Sequence, residues 1–486
     1  MSTLVQVPAP PRGRVVLLSS TAWGIRNVVV SGLLERLRER LDVRLLVSST
    51  ANNALSEGCQ AGADDMLLSV TGPPHDPVGV LLDASFARRH RLRSYDIFGR
   101  WNQRGRGPAY RFSRLVLKGL SRVGAREPVL GWLVASEHRR ALRRPGMEAI
   151  RAQLRALAPD LVVSTASVVP DEAAYARAAG QLGIPTLGCI LSFDNLTSRG
   201  RQPPFDHYAV WGRRMADEVL RLHPDRDPSQ VHVTGTPQFD LHRTAGFMHS
   251  REATLALLGL SAGARYVLYA ANCAQFTPTE PELVRALCRR LATEAATRRH
   301  VLLLRPHPAD DRARWAGIAG SEPNLVVVPP QGADGRFGTV EAQVKLVSSL
   351  AHADVCLNMA STMSLDAAVL DVPVICVGFA LARGSEEDRM AAACHQSTHY
   401  APVTASGGVQ LATSLNTLVS AVVEYVRDPA RDREARRRLV SDICGLVDGG
   451  ATERIRRLIE QLAGTSTSGE PSRPSLEPVG KAAVLR

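Results

Sequence analysis

Short apolar runs rich in β-branched residues alternate with longer amphipathic stretches along this chain, and the alternation occurs twice. In the first half the apolar runs cover residues 14–19, 43–48, 66–70, 160–164, 184–191, 207–211 and 231–234. In the second half they cover 266–271, 300–304, 324–328, 353–357 and 373–377. Near-continuous apolar strands separated by helices are typical of parallel sheets that are covered on both faces.

The amphipathic stretches predict helices over 27–40, 147–157, 172–182, 281–296, 339–351 and 364–370, with two more at 430–446 and 451–463. The two halves meet at 235–242, a polar segment that contains Pro237. We therefore predict an α/β protein of two doubly wound, Rossmann-like domains that face each other across a cleft. The predicted domains are 1–235 and 243–463, and the Ser/Pro/Gly-rich residues 464–486 predict a disordered tail.

Charge is distributed very unevenly. The chain has 486 residues, a globular composition with 45% hydrophobic residues, and a formal net charge of +12. Residues 84–144 hold sixteen Lys or Arg against three acids, a net +13, with aromatic residues interspersed. This segment predicts a basic helical insertion. Three interpretations of its charge remain open: a helical face in contact with solvent, binding to an anionic membrane surface with a lipid-linked acceptor, or binding to nucleic acid. The sequence contains no nucleic-acid module signature, so we expect no nucleic-acid partner.

Cysteine usage and hydropathy indicate a compartment. The eight cysteines are scattered and form no C-x-x-C pair, which predicts free thiols in a reducing environment. No apolar stretch approaches the roughly 20 residues that a membrane span needs, and residues 1–11 lack the apolar core of a signal peptide. We expect a cytoplasmic protein, and the basic insertion leaves open a peripheral position on the inner face of the cell membrane.

The most informative motif follows the apolar run 300–304. There Arg305, Pro306, His307 and Pro308 come between a predicted strand and a predicted helix. Ligands of open α/β sheets bind at the carboxyl ends of the strands, so Arg305 and His307 can face a phosphate together. The alternative is that His307 is an ordinary hydrogen-bonded loop residue.

A second motif follows the run 353–357, where Asn358, Ser361 and Thr362 precede a helix that contains Asp366. Ser361 or Thr362 would cap the helix, and its first N–H groups could bind a diphosphate. Asp366, one turn further, could accept hydrogen bonds from ribose hydroxyls. The alternative is a capping box with no ligand.

Two loops of the first half are candidates for the acceptor side. Ser192, Asp194, Asn195 and Thr197 crowd one loop, where Asp194 could take the proton from an acceptor hydroxyl, or could merely organise an Asx-turn. The first strand-to-helix loop contains Gly24, Arg26 and Asn27, which could contact the acceptor. That loop is not G-x-G-x-x-G, so the dinucleotide fingerprint is absent.

We predict no metal site. Asp225 and Asp227 form an acid-x-acid triplet, but it does not follow an apolar strand, and we interpret it as a loop. Cys394, His395 and His399 lack the remaining ligands of a metal site. The phosphate and ribose contacts that the two motifs predict indicate a nucleotide diphosphate as co-substrate, with no other cofactor.

These residues resemble a known group. The second half is similar to the nucleotide-binding domain of GT-B glycosyltransferases, in particular the bacterial cell-surface polymer enzymes that include CDP-glycerol glycerophosphotransferases. The similarity rests on Arg305-Pro306-His307-Pro308, Ser361-Thr362 with Asp366, the segment 371–375 (DVPVI) and the segment 448–451 (DGGA). Residues 235–240 (GTPQFD) resemble the Gly-x-Pro-x-x-Asp segment that opens the inter-domain linker, and we place Thr236 with the donor site.

The resemblance implies that His307 contacts the donor phosphate and that Ser361, Thr362 and Asp366 contact the nucleotide. One departure is informative: glycerophosphotransferases carry Trp-His-Gly where this chain reads Ser192-Phe193-Asp194-Asn195. An aspartate in place of that histidine favours sugar transfer over glycerophosphate transfer.

We therefore expect a metal-independent glycosyltransferase that moves a sugar to a surface polysaccharide, glycolipid or related glycoconjugate. Asp194 would act as base if the reaction inverts the anomeric centre, and a retaining enzyme would not need it. Two alternatives share the fold, a polyol-phosphate transferase and a UDP-N-acetylhexosamine 2-epimerase. A non-catalytic assembly partner is a third.

Overall fold

The structure is a computed structural model, and it describes residues 13–52, 64–69, 76–101, 107–198, 200–308, 310–328 and 338–464. The residues predicted as a disordered tail beyond Gly464, and residues 1–11, lie outside these ranges. Within the described chain, no helix is both long enough and apolar enough to cross a membrane.

The first domain contains a parallel sheet of seven strands in the order β3-β2-β1-β4-β5-β6-β7. Its strands are β1 Arg14–Ser19, β2 Asp42–Val47, β3 Asp65–Met66, β4 Leu161–Ser164, β5 Thr186–Cys189, β6 His207–Val210 and β7 Val231–Val233. Both faces of β1 are covered: Val15 and Leu17 pack into one core cluster, and Val16 and Leu18 into another. This double burial is the reason that the strand reads as a continuous apolar run.

The second domain contains a parallel sheet of six strands in the order β10-β9-β8-β11-β12-β13. Its strands are β8 Arg265–Ala270, β9 His300–Arg305, β10 Leu325–Val327, β11 Val355–Asn358, β12 Val374–Val377 and β13 Gln410–Ala412. The prediction of two doubly wound α/β domains is confirmed. The sequence pattern missed β13, because this edge strand has three residues of which only Ala412 is buried.

Helices cover the sheets in the alternation that the sequence predicts. They are α1 Ala22–Ile25, α2 Leu33–Arg38, α3 Ser49–Asn52, α4 Pro77–Arg89, α5 Arg93–Trp101, α6 Pro108–Gly124, α7 Glu127–Ala141, α8 Met147–Leu157, α9 Pro170–Gln181, α10 Asn195–Ser198, α11 Arg213–Leu222, α12 Pro237–Asp240, α13 Arg251–Leu257, α14 Glu280–Thr293, α15 Arg312–Ala316, α16 Val340–Ala351, α17 Met363–Val369, α18 Glu386–Cys394, α19 Ala401–Ala405, α20 Leu415–Arg427, α21 Arg433–Leu439 and α22 Ala451–Leu462. Instead of one helix over 27–40, the chain forms α1, a π-helical turn at Arg26–Val30, and α2.

The described residues of the basic segment 84–144 are mainly helical, as predicted, and they belong to a four-helix insertion that begins earlier, at Pro77 of α4. Helix α5 of this insertion reaches the second domain. There the Ser94 hydroxyl lies 3.0 Å from His399 Nδ1 and accepts a 3.0 Å hydrogen bond from the Thr398 backbone N–H. Trp101 packs on Phe276 of the second domain, with ring centroids 5.0 Å apart. The insertion therefore bridges the two domains on one side.

The end of the chain bridges them again. Ile455, Leu458 and Ile459 of α22 belong to the core cluster beneath β1 and α2, so α22 packs on the first domain although the sequence analysis grouped it with the second. Asp240 in the linker caps α22, because its carboxylate accepts hydrogen bonds from the backbone N–H groups of Ala451 and Thr452. This contact joins two of the segments that carry the family resemblance.

The backbone at Gly445, just before α22, packs very closely against the backbone of Trp211 and Gly212 in the first domain. Its φ is +72°, and a Cβ added there would lie 2.3 Å from the Trp211 carbonyl oxygen and 2.6 Å from the Gly212 Cα. Only glycine fits such a contact in the left-handed region.

We expect Gly445→Ala to lower the midpoint of thermal unfolding clearly. The left-handed conformation alone costs an L-residue about 1–2 kcal/mol, and the overlap with Trp211 adds to that cost. Gly263→Ala is the matched control, since Gly263 has φ +76° and nothing within 4 Å of its added Cβ. Equal losses in the two variants would contradict the close crossing.

Candidate functional site

A cleft of about 510 Å³ lies between the two domains, where the carboxyl ends of both sets of strands meet. Eight of the twelve residues that the sequence singles out line it: Arg26, Asp194, Asn195, Arg305, His307, Ser361, Thr362 and Asp366. Among the described residues, no group of three or more His, Cys, Asp or Glu side chains is placed to hold a metal ion.

Arg305 is the last residue of β9, and its side chain is 9% exposed. Its guanidinium lines the cleft and makes no hydrogen bond to any other residue within the described ranges. Burial lowers the pKa of Arg305 to about 10, and the nearby Asp366 carboxylate opposes that shift. Arg305 therefore remains a cation whose donors face the cleft, which is the chemistry of an anion site.

A buried hydrogen-bonded chain links the two domains at the base of the cleft. Arg26 Nη2 donates to Gln238 Oε1 at 2.7 Å, and Gln238 Nε2 donates to Asp366 Oδ1 at 2.7 Å. His242 Nε2 lies 3.3 Å from the same Asp366 oxygen. These contacts run from the first domain through the linker to the second, and they fix Arg26 beside the cleft.

The charges in this chain influence one another. Burial lowers the pKa of Arg26 to about 10, and the Asp366 carboxylate opposes the shift. The pKa of Asp366 itself lies below its ordinary value, because contacts from His242, Gln238 and Arg26 together outweigh the effect of burial. One carboxylate thus serves two buried arginines, Arg26 and Arg305, and the base of the cleft keeps an excess of positive charge.

His307 lines the cleft two residues beyond β9, between Pro306 and Pro308. Burial lowers the pKa of its imidazole below the usual value of about 6.5. Burial therefore favours a neutral imidazole, and a bound phosphate would favour the charged form.

The loop after β11 presents hydroxyl groups to the cleft. Ser361 and Thr362 line it, whereas Asn358 is fully buried behind it and its side-chain oxygen accepts hydrogen bonds from the Ser361 N–H and the Ser364 hydroxyl. Asn358 thus shapes the loop and does not line the cleft. The Ser361 hydroxyl accepts a 3.0 Å hydrogen bond from the Met363 N–H, whereas Thr362, the N-cap residue of α17, makes no side-chain capping bond. Helix α17 has only seven residues and therefore a small dipole, so we assign the anion site to the arginines.

Asp194 faces the opposite side of the cleft, just before α10. Its Oδ2 accepts a 2.7 Å hydrogen bond from the Ser198 hydroxyl, and its Oδ1 accepts one of 3.3 Å from Asn195 Nδ2. Asn195 also organises the backbone of this loop, since its Oδ1 accepts a 3.1 Å hydrogen bond from the Ser192 N–H. These bonds hold the Asp194 carboxylate at the cleft wall.

Gly24, Asn27 and Thr236 do not line the cleft. A Cβ on Gly24 would lie 2.5 Å from the hydroxyls of Ser19 and Thr165, so Gly24 is needed for close packing. Asn27 accepts a 3.1 Å hydrogen bond from Arg26 Nε and thereby orients that side chain. Thr236 and Asn27 line a separate, much smaller cavity of about 30 Å³.

Three residues with structural roles at the site were missed by the sequence analysis. Gln238 and His242 lie in the linker and hold Asp366, and Gln238 is part of the quoted GTPQFD segment. Glu172 is fully buried and accepts hydrogen bonds from Ser20 and from the Ala166 N–H, which ties together the loops after β1 and β4. A buried Glu at the start of α9 has no clear local sequence signal, because Ser20, one of its partners, lies 152 positions away in the chain.

Comparison with known proteins supports the fold. No protein-family model and no curated protein matches the chain. A Staphylococcus aureus MnaA–UDP structure is 13% identical, covers 94% of this chain and 99% of its own, and has a TM-score of 0.54. A Neisseria meningitidis UDP-GlcNAc 2-epimerase bound to UDP-GlcNAc is 11% identical over 92% of this chain and 100% of its own, with a TM-score of 0.51.

A glycotransferase of kitacinnamycin is 15% identical, covers 93% of this chain and 100% of its own, and has a TM-score of 0.52. Several further similar structures are UDP-GlcNAc 2-epimerases. At these identities the likeness shows the fold, which is GT-B-like.

We expect Asp366→Ala to destabilise the protein by about 3–5 kcal/mol, because it leaves the buried charges of Arg26 and Arg305 without a counter-charge. Asp42→Ala is the control, since Asp42 forms a half-exposed ion pair with Arg44, and such pairs contribute about 0–1 kcal/mol. Denaturant unfolding followed by tryptophan fluorescence measures both. A loss for Asp366→Ala no larger than that of the control would show that the chain of contacts is not stabilising.

Proposed function

We propose that this chain binds a nucleotide-diphosphate sugar in the cleft and transfers the sugar to an acceptor hydroxyl, as a glycosyltransferase of a surface polysaccharide, glycolipid or related glycoconjugate. The observation that carries this proposal is Arg305, a buried guanidinium whose donors face the cleft. A diphosphate would accept those hydrogen bonds. It would also compensate a charge that Asp366 balances only in part, since Arg26 shares that carboxylate.

The donor would lie on the second domain. We assign the diphosphate to Arg305, His307, Ser361 and Thr362, which line one side of the cleft. Asp366 would reach the ribose only through its second oxygen, because Gln238 holds the first. Similar structures whose names include UDP or UDP-GlcNAc support a nucleotide sugar as the ligand.

The transfer step follows from the placement of Asp194 across the cleft. The acceptor oxygen would attack the anomeric carbon of the donor sugar, and the bond from that carbon to the diphosphate would break. Asp194 would take the hydroxyl proton, and the electron pair would leave with the nucleoside diphosphate. Arg305 and Arg26 would stabilise the charge on the leaving group, so the proposal requires no divalent cation.

Epimerisation is the second candidate, favoured by the UDP-GlcNAc 2-epimerases among the similar structures. An epimerase must remove a proton from a sugar carbon and return one to the opposite face. The carboxylates that line the described cleft are Asp194 and Asp366, and Asp366 is bound by Gln238 and His242. Few side chains then remain that could remove a proton from one face of the sugar carbon and return one to the other face. We therefore favour sugar transfer over epimerisation. Polyol-phosphate transfer remains the alternative that the family resemblance suggests.

We propose that the acceptor belongs to the cell envelope, and the surface of α6 supports this. Phe112, Leu115 and Val123 of α6 are exposed beside Arg111, Lys118 and Arg122, a combination that suits an anionic bilayer. We propose that the cytoplasmic enzyme works at the inner face of the membrane on a glycan or lipid-linked acceptor.

Two variants test the division of labour in the cleft. We expect His307→Ala to lower turnover about 30- to 1000-fold, the equivalent of about 2–4 kcal/mol of transition-state stabilisation.

Asp194→Asn should abolish turnover without changing nucleotide affinity, because Asp194 lies across the cleft from the proposed donor site. Nucleotide release from a panel of nucleotide sugars, with and without lipid, and calorimetry of nucleotide binding provide the two readouts.

Asp225→Asn, in an exposed loop of the same domain, is the matched control for Asp194→Asn. His307→Ala activity within about threefold of wild type would remove His307 from the site. A fall of about tenfold in nucleotide affinity for Asp194→Asn would place Asp194 in the donor site instead. Conversion of UDP-GlcNAc to its 2-epimer without any acceptor would establish the second candidate.

A further inference from the structure

A second, larger concavity continues from the cleft. It measures about 1090 Å³, and Val168, Pro170 and Asp194 line both spaces. Helices α4, α5, α6 and α7 of the insertion form most of its wall, and Gln275 and Phe276 of the second domain complete it. We call this concavity the insertion groove. It exists only because the insertion reaches the second domain.

The wall of the insertion groove is mainly apolar. Phe98, Val116, Leu117, Leu120 and Trp132 are among its lining residues. Leu120 is 53% exposed and Trp132 is 59% exposed, so these side chains are not part of a closed core. Large exposed apolar surfaces that form a concavity mark binding sites in soluble proteins.

A carboxylate other than Asp194 also lines the groove. Asp83 on α4 faces it and makes no hydrogen bond to another residue of the described chain. Burial, with a contribution from the nearby Glu137, raises the pKa of Asp83 to about 7. A protonated Asp83 can donate a hydrogen bond to a ligand at neutral pH.

We propose that the insertion groove holds the apolar body of an amphiphilic, lipid-like acceptor whose hydroxyl group reaches Asp194. This inference rests on the proposed function, because it uses Asp194 as the group that receives the acceptor proton. The groove meets the cleft at Asp194, so a molecule seated in it would present one end to the donor sugar.

A hydrocarbon body fits most of this surface better than a glycan does. Each sugar hydroxyl that leaves water needs a hydrogen-bond partner, and polar side chains such as Asp83 and Arg114 are the minority of the lining, so they could serve only part of a buried glycan. Hydrocarbon gains from the same burial. The exposed apolar residues on the outer side of α6, with arginines beside them, would lie at a bilayer and give such an acceptor a route into the groove.

Binding of alkyl β-glucosides of increasing chain length, each below the concentration at which it forms micelles, tests the groove directly. We expect affinity to rise by up to about threefold for each added methylene between the butyl and dodecyl glucosides. In the wild type, a brominated dodecyl chain should quench the emission of Trp132, and Trp132→Phe should lose that part of the quenching.

Leu120→Glu and Leu115→Glu form a matched pair on α6. Leu120 lines the groove, whereas Leu115 is 65% exposed and does not. Placing a charge in the groove should weaken dodecyl glucoside binding by about tenfold or more, and the same charge at Leu115 should change it by less than about twofold. UDP binding should be unchanged in both variants, which also shows that both are folded.

Three outcomes would overturn the proposal: affinity independent of chain length, equal losses in the two variants, or a loss confined to Leu115→Glu. The last result would assign hydrocarbon binding to the outer face of α6, as expected for a membrane contact alone. The binding assay needs no turnover. Chain-length-dependent binding without sugar transfer would therefore contradict the proposed function and leave the apolar groove itself established.

Discussion

The rest of the site depends on the negative charge of the buried Asp366 carboxylate. This carboxylate is close enough to Arg26 of the first domain and to Arg305 of the second to oppose the lowering of their pKa values by burial, and Gln238 and His242 hold it from the linker. An uncompensated charge in such a place would cost several kcal/mol. The one negative charge makes it possible to bury two cations at the end of the strands, and it leaves them incompletely neutralised. This excess of positive charge is local to the base of the cleft, on the side opposite Asp194, and it prepares that part of the cleft for an anionic ligand before the ligand arrives.

Two separate connections keep the domains in register around that carboxylate. Helix α5 of the insertion contacts His399 and Phe276, and α22 returns to the first-domain core after the close crossing at Gly445. Both leave the cleft open between the strand ends. The insertion has a second effect, because its inner side extends the cleft into the insertion groove. The positive charge of 84–144 therefore belongs to a part of the molecule that both joins the domains and shapes the insertion groove.

The sequence predicts those features that depend on local pattern. Continuous apolar runs predict twelve of the thirteen strands in the described ranges, since burial on both faces requires apolar residues at nearly every position. The pattern misses β13 because this edge strand has three residues of which only Ala412 is buried. Arg305 and His307 are predicted correctly to line the cleft, because strand ends of parallel sheets share one edge. Asn358 and Gly24 cannot be distinguished in sequence from residues that line the cleft. In the structure the Asn358 side chain is hydrogen-bonded to the Ser361 N–H, and Gly24 packs closely against Ser19 and Thr165.

The sequence pattern cannot predict contacts between residues that lie far apart in the chain. The bond from Gln238 to Asp366 joins residues 128 positions apart. The position of α22 depends on a crossing between Gly212 and Gly445, and nothing near either glycine indicates the other. The insertion groove requires α6 and Phe276 to face each other across two domains, so composition could indicate a basic amphipathic segment but not a concavity.

The most direct test of the central claim is calorimetric titration of the full chain with uridine, cytidine, guanosine and thymidine diphosphates, for wild type and Arg305→Gln. The account predicts that at least one diphosphate binds the wild type and that its affinity falls by about tenfold or more in Arg305→Gln. Arg44→Gln, a change of a half-exposed arginine on β2, should leave it unaltered. Absence of binding by all four, or equal affinity in a folded Arg305→Gln variant, would contradict the assignment of the cleft as a nucleotide-diphosphate site.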